Sequence, residues 1–321
     1  MENTEKILVI GACGQIGGEL TLALRKRFGN GNVIAADLRA PDTTAETALP
    51  YVQLNVLDKL ALEELMTAES FTQVFHLAAM LSANGERDPQ AAWKLNMDSL
   101  LHVLDLSVKY RVSKIFWPSS IAVFGPDSPK QRCPQQGVTA PGTVYGISKA
   151  AGEYWCNYYF EKYGLDVRSI RYPGLISYKT LPGGGTTDYA VDIFHSAVKG
   201  ELFQCFLKEN TVLPMMYMND AVRATLELMD APAEQVGIRT SYNLSAISFS
   251  PKEIYEEIKK ACPDFKITYQ PDARQQIADS WPQSIDDSVA RLHWNWMAAY
   301  DLKSMVADML DNIGTKVVVK A

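Results

Sequence analysis

The first residues in this sequence equipped to move a proton are Tyr145 and Lys149. They stand four apart in Tyr145-Gly146-Ile147-Ser148-Lys149-Ala150-Ala151-Gly152. Small and apolar residues recur there at helical spacing with no proline, which predicts a helix from Tyr145 and puts both side chains on one face. A free tyrosine titrates near ~10, too high for a good base at neutral pH. An ammonium beside the phenol favours the phenolate, so Lys149 is expected to acidify Tyr145. Taken alone, the pair is a weak signal and reads first as an ordinary aromatic and a solvated lysine on a surface helix. Two further stretches change that. Gly11-Ala12-Cys13-Gly14-Gln15-Ile16-Gly17 follows the apolar run Lys6–Ile10, and Asp37 lies 20 residues after Gly17. Strand, glycine turn and helix form a dinucleotide site, with a pyrophosphate at the helix N-terminus and the acid on the adenosine ribose. A 2'-phosphate would meet like charge at Asp37, which favours NAD over NADP, although Arg39 is placed to serve a phosphate.

The elements that must position these residues alternate. Strands are predicted at 32–37, 51–54, 73–77, 114–120 and 166–171, and helices through about Phe28, over 58–69, over 88–110 and after Tyr145. Residues 40–50 read as a loop. Asp88-Pro89 supplies a cap and a first-turn proline for the helix to about Tyr110. This order predicts an α/β fold with a doubly wound parallel sheet, whose ligands sit at the C-terminal strand ends. Asp37, Ser82, Ser120 and Tyr145 then gather at one edge, and Ala78-Ala79 leaves room for a cofactor's ribose and phosphate.

Composition narrows the class. The 321 residues are 47% hydrophobic, enough for a large core or two coupled lobes, and the net charge of -6 argues against a nucleic-acid partner. No apolar run approaches the ~20 residues of a membrane span, and an N-terminal signal region is lacking, so a cytoplasmic protein is expected; a processed mitochondrial form fits equally. Five scattered cysteines point to free thiols, and four histidines without ligand spacing argue against a metal.

The glycine spacing, the exit Ser120-Ile121-Ala122-Val123-Phe124-Gly125 and Tyr145-x-x-x-Lys149 resemble the extended short-chain dehydrogenase/reductase superfamily. Within it, Arg171-Tyr172-Pro173-Gly174-Leu175-Ile176-Ser177-Tyr178, Pro182-Gly183-Gly184-Gly185-Thr186-Thr187-Asp188-Tyr189-Ala190 and Asp279-Ser280-Trp281-Pro282 are similar to the short-chain L-threonine 3-dehydrogenase family. These motifs span residues 7 to about 296. One departure is His293-Trp294-Asn295-Trp296, where that family reads Asp-Trp-Gly-Trp; it falls outside the expected site. The resemblance implies NAD-dependent oxidation of L-threonine to 2-amino-3-oxobutanoate. Tyr145 would be the base, Lys149 would lower its pKa and hold the nicotinamide ribose, and Ser120 would bind the substrate oxygen. It implies a substrate set of Ser82, Ser120, Tyr145, Gly185, Thr186, Asp188 and Trp281. The implied cofactor set is Gly11, Gly14, Gln15, Ile16, Gly17, Asp37, Leu38, Asn55, Val56, Leu77, Ala78, Ala79, Asn96, Ser119, Tyr145, Lys149, Tyr172 and Ile176. For Asn96 the residues alone read by default as a buried bridge between backbone groups.

The expected organisation is an NAD-binding Rossmann domain over 1–172, rejoined by about 210–245, with a substrate lobe over 173–209 and 246–321. The stretch from Leu181 to Asp188 is expected to be a lid. Ser250-Pro251-Lys252-Glu253 is a capping box. By resemblance, the helices near 88–110 and 145–163 pair across a two-fold axis in a homodimer. Two alternatives stand beside the dehydrogenase: a sugar-nucleotide epimerase or dehydratase on the same fold, for which the glycine-threonine loop leaves little room, and a non-catalytic NAD-binding module, which would have no need of Ser120, Tyr145 and Lys149.

Overall fold

A computed structural model describes residues 5–40, 50–180 and 183–320, with side chains to residue 314. Most of the predicted 40–50 loop, and Leu181 and Pro182 of the predicted lid, lie outside the described residues. The first half builds β1 (Ile7–Ile10), α1 (Gln15–Phe28), β2 (Val33–Asp37), β3 (Tyr51–Gln53), α2 (Lys59–Glu69) and β4 (Gln73–His76). β1 is buried along its whole length, as an unbroken apolar run must be when helices cover both faces of the sheet. Asp58 caps α2 by accepting from the amides of Leu60 and Ala61.

After β4 comes a short helix, α3 (Ser82–Gly85), where sequence predicts only a polar loop. The predicted 88–110 helix is α4 (Pro89–Trp93), a π-helical turn over Lys94–Asp98, then α5 (Ser99–Lys109). The predicted strand 114–120 is broken. β5 (Lys114–Phe116) stays in the main sheet, whereas β6 (Ser119–Ser120) pairs elsewhere. Pro118 is the reason: it has no N–H to give a central ladder. α6 (Val144–Tyr163) starts under Thr143, whose hydroxyl accepts from the Gly146 amide, and stops at Gly164 in the left-handed region.

β7 (Asp166–Arg168) completes a six-stranded parallel sheet ordered β3-β2-β1-β4-β5-β7. The order reverses between β1 and β4, and ligands of such sheets bind at that reversal. β8 (Ile170–Tyr172) pairs with β6, so the predicted strand 166–171 is likewise split between two sheets. β9 (Gly174–Ile176), α7 (Tyr189–Lys199), β10 (Phe203–Cys205), β11 (Leu213–Tyr217) and α8 (Met218–Asp230) follow. Then come β12 (Tyr242–Asn243), β13 (Ile247–Phe249), α9 (Pro251–Ala261), β14 (Ile267–Tyr269), α10 (Arg274–Ser280), α11 (Ser288–Trp294) and α12 (Leu302–Lys320). α9 carries the expected capping box, Ser250 and Glu253 each serving the other's backbone amide.

Three clusters form the core. One lies between the sheet and α2, α5 and α6, and one between the sheet and α1 and α8. The third fills the lobe of α7, α9 and α12. Two details of the expected division shift. Ile121–Phe124 pack in the lobe cluster, and Trp294 and Trp296 pack with α1 and α8. The Trp296 indole donates to the Ser245 carbonyl and the Asp287 carboxylate. The His293-Trp294-Asn295-Trp296 departure has a simple account: Asn295 has φ 58°, and asparagine tolerates this left-handed C-cap better than any residue except glycine.

Candidate active site

A cavity of about 220 Å³ opens at the sheet reversal. Its floor at one end is backbone. Gly11 has φ 84°, and a Cβ there would stand 2.7 Å from the Ala78 amide nitrogen; at Gly17 it would stand 2.1 Å from the Gly11 carbonyl oxygen. Both positions therefore exclude any larger residue. Gly14 leaves the N-terminus of α1 without a side-chain cap, no acid sits in its first turn, and Arg25, Lys26 and Arg27 occupy its last. The open amides of that turn are a ready seat for a pyrophosphate. The Asp37 carboxylate accepts from the Cys13 amide at 2.9 Å and the Arg39 amide at 3.1 Å. The guanidinium of Arg39 sits 3.4 Å from the same carboxylate and is largely exposed. The donors and the shape fit a dinucleotide.

The other end is built from side chains. Ser120 ends β6, and Tyr145 and Lys149 come from α6. Ser82, Gly185, Thr186, Asp188 and Trp281 close over them. The hydroxyls of Ser82 and Thr186 are 3.4 Å apart and buried, joining α3 to the glycine-threonine loop. The side-chain amide of Asn84 donates to the Gly183 carbonyl at 3.0 Å, a second tie between the same segments. The Asp188 carboxylate accepts from the amides of Gly184 and Gly185 at 2.8 and 2.6 Å. It therefore shapes the loop as well as lining the cavity, and burial raises its pKa.

The electrostatics of the central pair differ from the expectation. Burial pushes the Tyr145 phenol up to about 12, with a hydrogen bond to Ser120 pulling it partly back. Burial pushes the Lys149 ammonium down to about 7, with Cys156 and Glu153 raising it in part. Lys149 Nζ donates to the Pro118 carbonyl at 2.6 Å and sits 4.4 Å over the Trp117 ring, against 5.7 Å to the Tyr145 ring. In the protein alone, desolvation by burial is the largest cause at both groups.

Of the remaining cofactor expectations, Gly11, Gly14, Gln15, Ile16, Gly17, Leu77, Ala79, Ser119 and Tyr172 line the cavity. Ala78 abuts Gly11. Asp37, Leu38, Asn55 and Val56 lie at the ends of β2 and β3, beyond it. Two more of the residues lie away from the cavity, Ile176 against the expectation and Asn96 in the bridging position that its own residue type suggested. Ile176 is sealed in the lobe core. Asn96 is turned inward by the π-helical turn, where its amide holds both backbone groups of Met80 and the Ser148 hydroxyl. Leu81, Pro118 and Ile121 line the cavity without having been named as site residues, and Pro173, Gly174 and Leu175 line it from the run expected to pass the nicotinamide, with Thr187 from the expected lid. The proline inside the run 114–120 was a usable signal for Pro118, since it marks where the chain leaves the sheet toward the cavity. Among the described residues no three potential ligands stand together to hold a metal ion, and no helix is long and apolar enough to cross a membrane.

A Rossmann sheet with a glycine turn at its reversal and a tyrosine–lysine helix behind it defines an NAD-binding oxidoreductase-type fold. The chain belongs to the NAD dependent epimerase/dehydratase family, which matches residues 7–245. It is 45% identical to the mitochondrial L-threonine 3-dehydrogenase of Bos taurus, over 97% of this chain and 83% of that one. The holo form of a GalE-like L-threonine dehydrogenase from Cupriavidus necator superposes with TM-score 0.93 at 56% identity, covering 96% of this chain and 99% of that one. A monomeric L-threonine 3-dehydrogenase of metagenomic origin, in its apo form, superposes with TM-score 0.93 at 47% identity, covering 97% and 99%.

Proposed function

We propose that this protein is an NAD-dependent L-threonine 3-dehydrogenase that oxidises the C3 hydroxyl of L-threonine to the ketone of 2-amino-3-oxobutanoate. The observation that carries the reading is the shared cavity: Ser120, Tyr145, Lys149 and Thr186 face one small space whose far wall is the glycine turn. NAD, when bound, supplies the hydride acceptor, and its oxidised ring brings a positive charge of the sign that lowers the phenol's pKa. The chain's own residues do the rest. Tyr145 Oη takes the hydroxyl proton of the substrate, Ser120 Oγ holds the same oxygen, and Lys149 stabilises the phenolate and holds the nicotinamide ribose. Ser82 and Thr186 present hydroxyls to the amino-acid end, with Gly185 and Asp188 shaping the loop above it. Trp281 walls the pocket, and the loop from Gly183 acts as a lid that keeps water away from the reacting carbon. The adenosine half lies along Asp37, Leu38, Asn55 and Val56. The test is the rise of reduced-nicotinamide absorbance with NAD and L-threonine at alkaline pH; no rise, with turnover of a nucleotide sugar instead, would overturn the assignment.

The same reading makes the protein a homodimer. Trp93, Tyr154, Trp155 and Tyr158 expose apolar surface on α4 and α6, Tyr154 being 65% exposed. That surface suits a second copy meeting it across a two-fold axis, although the metagenomic relative is a monomeric L-threonine 3-dehydrogenase. Light scattering should return twice the chain mass; the chain mass itself would refute this part. A cytoplasmic or mitochondrial-matrix placement belongs to the same reading, the bovine relative being titled mitochondrial.

A further inference from the structure

α6 carries a third ionisable residue on the stripe of Tyr145 and Lys149. Glu153 lies one turn beyond the lysine and is buried. Its carboxylate receives the Ser119 hydroxyl at 2.6 Å, Arg171 Nε at 2.8 Å and Arg171 Nη2 at 2.7 Å. Ser119 and Arg171 are themselves direct partners across the β6–β8 pairing, as are Ser120 and Tyr172 beside them. Arg171 Nη1 donates onward to the Gln135 carbonyl and the Asn243 side chain, both at 3.1 Å. One carboxylate thus joins the helix that carries the proton-transfer pair to both strands that carry the opposing wall. A buried ion pair is poor evidence for stability in itself, because desolvation offsets its attraction. The proton transfer described above does not use it directly.

We propose that Glu153 is a positioning residue for the reaction: it fixes α6 against the Ser119–Ser120 strand, and its negative charge helps keep Lys149 protonated. This rests on the reading of Tyr145 and Lys149 as the proton-transfer pair. The surroundings support the charge argument. Lys149 feels Cys156 and Glu153 from its own helix, and His76 from β4 is neutral, its pKa pushed by burial to about 3. Arg171 faces Glu153 from β8, with Cys133 in its field. Asp105 of α5 is engaged by Lys59 and Tyr159, and Asp166 of β7 by Arg168 and Arg239. Removing the negative charge of Glu153 makes each proton of the Tyr145–Lys149 pair easier to lose, so both limbs of a pH–rate profile move together.

The experiment compares kcat/KM against pH for the full-length wild type and four variants, with folding checked by circular dichroism. Glu153→Gln should move both limbs to lower pH by about one unit, and Arg171→Gln should move them to higher pH. Ser119→Ala keeps both charges; it should lower kcat severalfold with both limbs in place. Should the single charge variants fail to fold, the double variant Glu153→Gln/Arg171→Gln replaces them, with a smaller shift to lower pH because the carboxylate is the nearer charge to Lys149. A folded charge variant whose profile superposes on the wild type overturns the charge role, and an unchanged kcat in Ser119→Ala overturns the tether. Tyr145→Phe is the reference: full activity there would defeat the proton-transfer reading independently of Glu153.

Discussion

The two ends of the cavity are made in different ways. At the glycine turn the surface is backbone: amides at the start of α1 and glycines whose missing Cβ atoms leave room. At the Ser120–Tyr145 end the surface is side chain, gathered from α3, β6, α6, the loop before α7, and Trp281. A backbone site depends on a few consecutive residues and tolerates no added atom. A side-chain site depends on elements far apart in sequence, and single contacts can be lost by degrees.

Substitutions at the two ends should therefore fail differently. The largest effect is expected at the shared centre. Tyr145→Phe removes the proton acceptor and should lower kcat by ~10³, in the range of lost general-base catalysis, with NAD affinity little changed. In the wild type, activity should climb with pH, because burial holds the phenol up and its base form is gained only as pH rises. The phenylalanine variant should lose that acid limb, and an unaltered limb would show that some other group is titrating.

Next comes the backbone end. Gly17→Ala pushes a methyl to 2.1 Å from the Gly11 carbonyl oxygen, a fixed atom. The turn must move, and NAD affinity should fall by roughly a hundredfold or more, about the effect of losing two hydrogen bonds to a charged group. Titration of protein fluorescence with NADH reads this directly; retained affinity would mean that the turn is softer than its geometry. The mildest effect is expected at the side-chain end. Thr186→Val keeps the shape, deletes one hydroxyl and leaves Ser82 without that partner. KM for L-threonine should rise about fivefold to tenfold, at ~1 kcal/mol for one hydrogen bond, while NADH titration stays unchanged. A rise in both constants would mean that the two ends are not separable.

The same contrast explains what the sequence disclosed. The glycine turn, Asp37 and the strand order were legible because each is local: a run of apolar residues, a spacing, a cap. The partners of Asn96 and the role of Glu153 were not readable in this way, although the residues alone did suggest Asn96 as a buried bridge. Asn96 reaches Met80 and Ser148 only through a π-helical turn, and no periodicity announces one. Glu153 meets Arg171 from another element, 18 residues away, and the direction in which the Tyr145 phenol is shifted is set by burial that spacing cannot reveal. The Pro118 break and the short α3 helix fall between: the proline carried its own warning, whereas the polar stretch 80–86 gave none. Ile176 is expected beside the cofactor with the rest of the run from Tyr172, but alternation along β9 turns it into the lobe core.

The π-helical turn at Lys94–Asp98 carries a consequence for reading this helix as a pattern. One extra residue in the ladder rotates everything after it by about 100° relative to everything before, the angle each residue occupies on the wheel. A single wheel drawn from Pro89 to Lys109 therefore misassigns faces on one side of the turn: exposed Trp93 and buried Leu100, Val103 and Leu104 obey two wheels, not one. Shortening the segment by one residue would restore a regular spiral and swing Asn96 out of register with Met80 and Ser148.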